Sequence, residues 1–313
     1  MSAEYNEDNL VEEATCDIFK DLGWQIETAW HNETFGDAGL LGRENKSEVI
    51  LSKFLLPVLE KLNPNLPKSA YKDAYLKIAQ RQADKKLDRI NKEKYELIKS
   101  GVQVSFTDDK GKLNKKTLRV FDFDNPENNH FLAVRQLEVS GELYNRRPDI
   151  VAFVNGIPLV FLELKAHSND LRHAYDNNLK DYKDTIPHIF SNNAFIILSN
   201  GLDTNIGTLT SPYKFFHEWK RISEDEEGKV SLDTTIRGTC AKDRLMDLFE
   251  NFIVFEDGGG SLIKILAKNH QYLGVNKVIN NAKSLEDLKG KLGVFWHTQG
   301  SGKSFSMVFL SEK

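Results

Sequence analysis

The stretch from Arg146 to Ala166 reads RRPDIVAFVNGIPLVFLELKA and holds two β-rich runs, Asp149–Val154 and Ile157–Leu164, separated by Asn155-Gly156. Both separating residues tolerate positive φ, which makes the pair a strong hairpin signal. The second run is almost wholly apolar, as in a strand covered on both faces. Glu163 and Lys165 nevertheless stand at its end, and charges accept burial only when paired or metal-bound. Residues two apart on a strand share a face, so Glu163 and Lys165 project together. Asp149 joins them only in some registers. An unbroken two-residue loop sets Val154 opposite Ile157 and Asp149 opposite Leu162, the wrong face. A three-residue loop, Val154-Asn155-Gly156, with Gly156 as the left-handed bulge residue, pairs Phe153 with Ile157. Asp149 then lies opposite Phe161 and diagonal to Glu163. The pattern therefore predicts the bulged three-residue loop.

Two carboxylates and a lysine at one strand end suggest a divalent metal site. Carboxylates are hard oxygen ligands suited to Mg²⁺, which keeps several waters and needs few protein ligands. Such a metal lowers the pKa of a bound water and offsets charge on a phosphoryl oxygen. Lys165 is placed either to position that water or to stabilise the charge of the pentavalent phosphorus. The plainer alternative is a surface Glu–Lys pair at a hairpin end.

The 313 residues allow two domains, and a composition of 40% hydrophobic and 28% charged residues is that of a folded chain. Lys and Arg number 42 against 46 Asp and Glu, a net charge of −4, so any contact with nucleic acid must come from local patches. The two cysteines, Cys16 and Cys240, form no zinc pattern and fit a reducing cytoplasm. The acidic N-terminus carries no signal-peptide core, and no apolar run reaches the length of a spanning helix.

In chain order, Asp8–Leu22 has a helical apolar stripe, with Glu12 and Glu13 in its first turn, where acids favour the helix dipole. A second helix is expected after Ser47, kinked at Pro57, and a third from Ser69 to Ser100. Strands are expected at Val102–Phe106 and Thr117–Phe123 around a turn at Asp108–Lys112, and at Phe131–Val139. A polar helix, Asp170–Lys183, places Asn178 and Tyr182 one turn apart, and Ala194–Ser199 returns as a strand. The order implies a mixed sheet with helical cover. Residues 1–222 are expected to form this first domain. The acidic Ser223–Gly228 opens a connecting region, 223–260, containing a helix over Lys242–Phe255 and a flexible break at Asp257–Gly260. In the remaining segment, 261–313, a helix from Leu262 to Ala282 bent near Gly274 is expected. A buried strand, Lys291–Trp296, should then run into Gln299-Gly300-Ser301-Gly302-Lys303-Ser304 and a further helix.

Strand, glycine-rich loop and helix form a phosphate-loop context. Gly300 and Gly302 let backbone N–H groups approach phosphates, Lys303 reaches the terminal phosphates and Ser304 can ligate Mg²⁺. His297 stands where the general pattern has glycine.

Taken together, NRRPDIVAFVNGIPLVFLELK, FIILSNG with Gly207-Thr208, and FWHTQGSGKS resemble the N-terminal part of the restriction (motor) subunit of type I restriction–modification enzymes. That family's loop commonly reads HTQGSGKS, which accounts for His297. The resemblance implies an α/β fold: a restriction-endonuclease-like PD-(D/E)xK domain followed by the beginning of a RecA-like P-loop domain of a superfamily 2 helicase-like motor. It places Asp149, Glu163 and Lys165 on the catalytic positions, with Asp149 and Glu163 as metal ligands. It adds Glu12 as a third carboxylate for the metal, and Asn178 and Tyr182 as a nuclease accessory motif with Asn in place of the usual Gln. Gln271 resembles the glutamine that reads adenine, although its spacing also suits a surface residue. The implied activity is a Mg²⁺-dependent DNA endonuclease coupled to ATP-driven translocation. The implied partners are double-stranded DNA and the methyltransferase and specificity subunits, in the cytoplasm and without a membrane. No DExx box follows the loop, so the chain is expected to be a fragment of a longer protein rather than a broken gene, and not a competent ATPase by itself. Val294, Phe295 and Val308–Leu310 are then expected to expose apolar surface. The competing reading is a non-cleaving module that binds DNA or partner subunits.

Overall fold

The computed structural model describes residues 2–82, 84–107, 110–258, 260–296 and 298–313. The expected turn residues Asp108 and Asp109, Gly259 of the expected break, and His297 lie outside the described residues. The elements are α1 (Ser2–Asp21), β1 (Gln25–Thr28), α2 (Ser52–Leu62), α3 (Lys68–Ala79), α4 (Leu87–Ser100), β2 (Val102–Thr107), β3 (Leu113–Leu118), β4 (Phe131–Arg135), β5 (Val139–Ser140), β6 (Asn145–Arg146), β7 (Ile150–Val154) and β8 (Ile157–Leu164). There follow α5 (Leu171–His173), a π-helical turn (Ala174–Leu179), α6 (Lys180–Thr185), β9 (Phe195–Ser199), β10 (Thr204–Gly207), α7 (Leu232–Cys240), α8 (Lys242–Asn251), β11 (Ile253–Gly258), β12 (Ser261–Leu266), α9 (Asn269–Lys283) and α10 (Lys303–Glu312).

A six-stranded mixed sheet, ordered β1-β4-β7-β8-β9-β10, organises the chain, with β1–β4 and β8–β9 parallel and the other pairs antiparallel. Every residue of β7 and β8 is buried, because helices or loops cover both faces. One core holds Ile150, Ala152, Leu162 and Leu164 against α1, α2, α3, α4, α7 and α8. The other holds Val151, Phe153 and Phe161 against Tyr175, Leu179, Tyr182 and Phe190.

The β7–β8 hairpin departs from expectation. Val154 pairs with Ile157, so the loop is the two-residue Asn155-Gly156, at φ 51° and 75°. Two positive φ values give the turn whose twist matches that of the strands. Asn155 is fixed there by its side chain, which donates to Val120 O at 2.8 Å and accepts from His130 N at 2.7 Å. The bulge lies deeper. Phe153 pairs with Pro158 but Ala152 with Val160, so Leu159 is the extra residue on β8. Neighbours Leu159 and Val160 accordingly reach the same core. Beyond the bulge Ile150 pairs with Leu162, and continuing that register sets Asp149 opposite Glu163. The predicted loop is wrong and the shared face is right.

Other expectations fail for local reasons. The helix from Ser69 to Ser100 is two helices, because a single alanine, Ala83, is the one apolar residue between Ala79 and Leu87 and holds no stripe. The buried Lys94 of α4 closes the break, donating to Lys77 O and Ile78 O of α3 at 2.7 and 2.8 Å. Ser47 caps no helix; its N–H and hydroxyl are taken by Asn45 Oδ1, and α2 begins at Ser52. The third strand starts at Leu113 rather than Thr117. Leu262–Leu266 is a strand paired with β11, not a helix, and α9 runs unbroken through Gly274, where the absent side chain leaves room for the Phe295 ring. Lys291–Trp296 is not a buried strand. No described segment pairs with it, and Val294 and Trp296 are exposed. In place of a ladder, Leu292 O accepts from Asn281 Nδ2 at 2.9 Å and Lys291 N–H donates to Leu288 O at 3.1 Å. The expected exposed surface is found at Val294, Phe295 and Val308, whereas Phe309 is buried against Phe252 with ring centroids 5.6 Å apart.

Candidate active site

The ends of β4, β7, β8 and β9 meet at one edge of the sheet, and they carry the charged residues that the apolar strands cannot bury. Glu163 is buried and Asp149 half-buried. The Asp149 carboxylate accepts Leu164 N–H at 2.6 Å, across the ladder. Lys165 donates to Glu163 Oε1 at 2.8 Å, and its own N–H is held by Ser199 O of β9 at 2.8 Å. Among the described residues, Glu163 Oε2 is buried with no donor in hydrogen-bond geometry, although the Tyr182 hydroxyl interacts with this carboxylate. Burial, and then the Glu163 charge, raise Asp149 well above the usual carboxylate range, against the pull of the Leu164 N–H and Lys165. Burial raises Glu163 too, opposed first by Lys165. Two carboxylates thus share a face with one lysine between them and one oxygen unmet.

That is the donor set a hard divalent cation satisfies: an orphaned buried carboxylate oxygen beside a second carboxylate whose ionisation the protein alone disfavours. Among the described residues, no three His, Cys, Asp or Glu side chains form a ready ligand cage. Glu12 shows why. It is buried near the pair and its charge raises both of them. Both its oxygens are nevertheless engaged, Oε2 by Arg135 Nε and Oε1 by Gln136 Nε2, each at 2.6 Å.

Arg135 and Gln136 went unnoticed in the sequence. Arg135 ends the apolar run Phe131–Arg135 as Glu163 ends its own, which is the signal that could have found it. Gln136 sits at φ 56° while its N–H donates to Asp149 O at 2.8 Å, so the same turn orients Glu12 and holds the Asp149 backbone.

Tyr182 lies beside Glu163, its ring edge-on to Phe161 at 5.6 Å. Burial and the charges of Glu163 and Asp149 raise its phenol pKa, so it keeps its proton. Asn178 interacts with that hydroxyl from the π-helical turn, a widened turn of the kind that recurs at functional sites. The structure therefore brings Asp149, Glu163, Lys165, Glu12, Asn178 and Tyr182 into one neighbourhood.

Gly300, Gly302, Lys303, Ser304 and Gln271 gather elsewhere. Gly302, at φ 83°, caps α10, and Lys303 and Ser304 are exposed in its first turn. Gln271 is buried, with its amide committed to backbone: Oε1 accepts Lys268 N–H at 2.8 Å and Nε2 donates to Gly302 O at 2.9 Å. In this arrangement it ties the glycine loop to the start of α9 rather than facing an open base pocket.

Comparison with known proteins agrees with both regions. A family model described as type I restriction enzyme R protein N terminus matches residues 4–215, and one described as SWI2/SNF2 ATPase matches residues 270–313. The chain is 36% identical over 320 residues to the type I restriction enzyme HindI endonuclease subunit of Haemophilus influenzae, covering 98% of this chain and 30% of that protein. It is 28% identical to the putative type I restriction enzyme MjaIXP endonuclease subunit of Methanocaldococcus jannaschii, covering 100% of this chain and 32% of that one. The chain thus spans about a third of the length of these curated relatives. No helix among the described residues is long and apolar enough to cross a membrane.

Proposed function

This chain belongs to the family of type I restriction enzyme R-protein N termini, and from that premise we propose that its sheet edge is a Mg²⁺-dependent DNA endonuclease site. The observation that carries the reading is the pairing of two carboxylates, one with a buried oxygen lacking a donor, beside Lys165. Mg²⁺ held by Asp149 and Glu163 would supply a Lewis acid for the scissile phosphate and an activated water. The chain's own groups do the rest. The Leu164 N–H and the Lys165 ammonium fix the two carboxylates in place. Lys165, partly exposed, would set its positive charge toward the phosphoryl oxygen as charge builds there. Arg135 and Gln136 hold the Glu12 side chain beside the pair, and Tyr182 keeps its proton beside Glu163.

In the parent protein this site would act in a multi-subunit restriction–modification complex on double-stranded DNA. Methyltransferase and specificity subunits would accompany it, and ATP bound at Gly300–Ser304 would drive translocation. The buried free thiols Cys16 and Cys240 suit the reducing cytoplasm in which such a complex works.

Plasmid nicking tests the reading. Wild-type chain should nick supercoiled DNA with Mg²⁺ and not with EDTA, and Lys165→Ala should lose about two to three orders of magnitude in rate. Equal nicking by the two proteins sinks the assignment, and no nicking by either favours the alternative, a non-cleaving module that binds DNA or partner subunits.

A further inference from the structure

Trp30 follows β1 and Arg147 precedes β7, and the registers Thr28↔Arg135 and Arg135↔Ile150 set both at the sheet end that carries Asp149 and Glu163. The Arg147 guanidinium carbon lies 3.5 Å from the Trp30 ring centroid. His31 stacks on the same indole at 4.2 Å with an interplanar angle of 28°. Holding His31 there takes a backbone φ of 62°, a conformation that non-glycine residues seldom adopt. The turn is locked by Ala29 O, which accepts Asn32 N–H and Glu33 N–H at 3.0 and 2.8 Å. His31 is exposed, and Trp30 and Arg147 are half-buried.

The neighbouring arginines are neutralised, Arg135 by Glu12 and Arg146 by Asp181. Among the described residues, no carboxylate lies within ion-pair distance of Arg147. Its charge is met by an indole face, which leaves its planar fork of N–H groups available. A guanidinium levelled on an aromatic ring is preorganised for bidentate contact with a phosphate. Strands lie about 4.8 Å apart, so Trp30 stands roughly 10 Å from β7 and roughly 14 Å from β8. That is a few nucleotides along a strand rising about 3.4 Å per step.

We propose that Arg147, levelled on Trp30 and His31, grips a DNA backbone phosphate within a few nucleotides of the one presented to Asp149 and Glu163. Arg147 touches the DNA, and Trp30 is a positioning residue acting through it. The proposal rests on the DNA-cutting reading of the adjoining site, and it adds a fixed point that registers the strand against that site.

The test is fluorescence anisotropy of a fluorescein-labelled random-sequence duplex with the full 313-residue chain, in Mg²⁺-free buffer across a salt series. Arg147→Gln should weaken binding about fivefold to tenfold at moderate salt and lower the slope of log affinity against log salt by about 0.9, the loss of one phosphate contact. Trp30→Ala should reproduce most of that loss and Trp30→Phe little of it. The double variant Trp30→Ala/Arg147→Gln should bind no worse than Arg147→Gln alone. A stack that serves only the fold would lower the melting temperature and leave the salt slope alone. Wild-type affinity and slope in Arg147→Gln would overturn the proposal while leaving the nuclease reading intact if wild type still nicks. Reduced affinity and slope in a chain that never nicks would keep the phosphate grip and remove the cutting. A wild-type chain that neither binds nor nicks would overturn both.

Discussion

A carboxylate at position 149 loses much of its hydration and meets the charge of Glu163, so in the fold its ionised form is the disfavoured one. A raised folded-state pKa means that the folded chain binds more protons than the unfolded chain. Stability therefore falls as pH rises from the ordinary aspartate value, about 3.9, to the raised one, and the loss is complete above it. Asp149→Asn keeps an oxygen for the Leu164 N–H and removes the charge. It should raise metal-free stability at pH 7.5 by about 1 kcal/mol, with the gain shrinking as the pH approaches 4. Urea unfolding of both proteins across that range measures it, and an Asp149→Asn chain no more stable than wild type at pH 7.5 would contradict the reading of a site strained for function. These residues were legible in the sequence because a charge ending an otherwise apolar strand needs a reason. The commitment of Glu12 to Arg135 and Gln136 was not legible, since the three meet only through the packing of α1 on β4.

At the scale of elements, the hairpin shows what an apolar pattern hides. In Ile157–Leu162 every residue is apolar, so a one-residue bulge at Leu159 leaves no mark in the alternation, and a change of face is silent. The Asn-Gly turn was visible; the place where the ladder slips was not. The same ambiguity hid β12, where Leu262, Lys264 and Leu266 point inward, and a short run of that kind suits a helix equally well. Lys264 is buried with no carboxylate partner among the described residues, its ammonium held by Asn91 Oδ1 at 2.9 Å, and burial lowers its pKa to about 7. The hairpin turn also docks α2. Gly156 O accepts Leu51 N–H at 2.9 Å, and a Cβ on Gly156 would meet Leu51 O at 2.4 Å. Gly156→Ala therefore combines a left-handed φ with a backbone clash and should cost about 2–4 kcal/mol. Gly111→Ala is the control: at φ 77° a Cβ there meets nothing within 4 Å, and the cost should stay near 1 kcal/mol. Equal losses in chemical denaturation would show that the contact with α2 contributes nothing.

Over the whole molecule, the two motifs belong to one packed body, since a single core runs from Val11 of α1 through Phe249 and Phe252 to Phe309 of α10. Lys313 reaches Asp247 at 2.7 Å and Lys99 reaches Glu312 at 2.9 Å, so α10 is tied to α8 and α4 as well as to α9. The loop before α10 is anchored chiefly through Gln271 and His270, which contact Gly302 O and Ser301 O at 2.9 and 3.2 Å. This separates two roles that a nucleotide-binding loop combines. Lys303 is exposed and would act on phosphate charge, so Lys303→Ala should abolish binding of a fluorescent ATP analogue while the chain stays folded. Gln271 is buried and holds the loop, so Gln271→Ala should weaken the same binding and also lower stability by about 1–3 kcal/mol, through the backbone groups it leaves unpaired. Binding lost in Gln271→Ala at unchanged stability would instead assign the amide to the base, and unaltered binding in Lys303→Ala would mean that the glycine loop holds no phosphate in this chain.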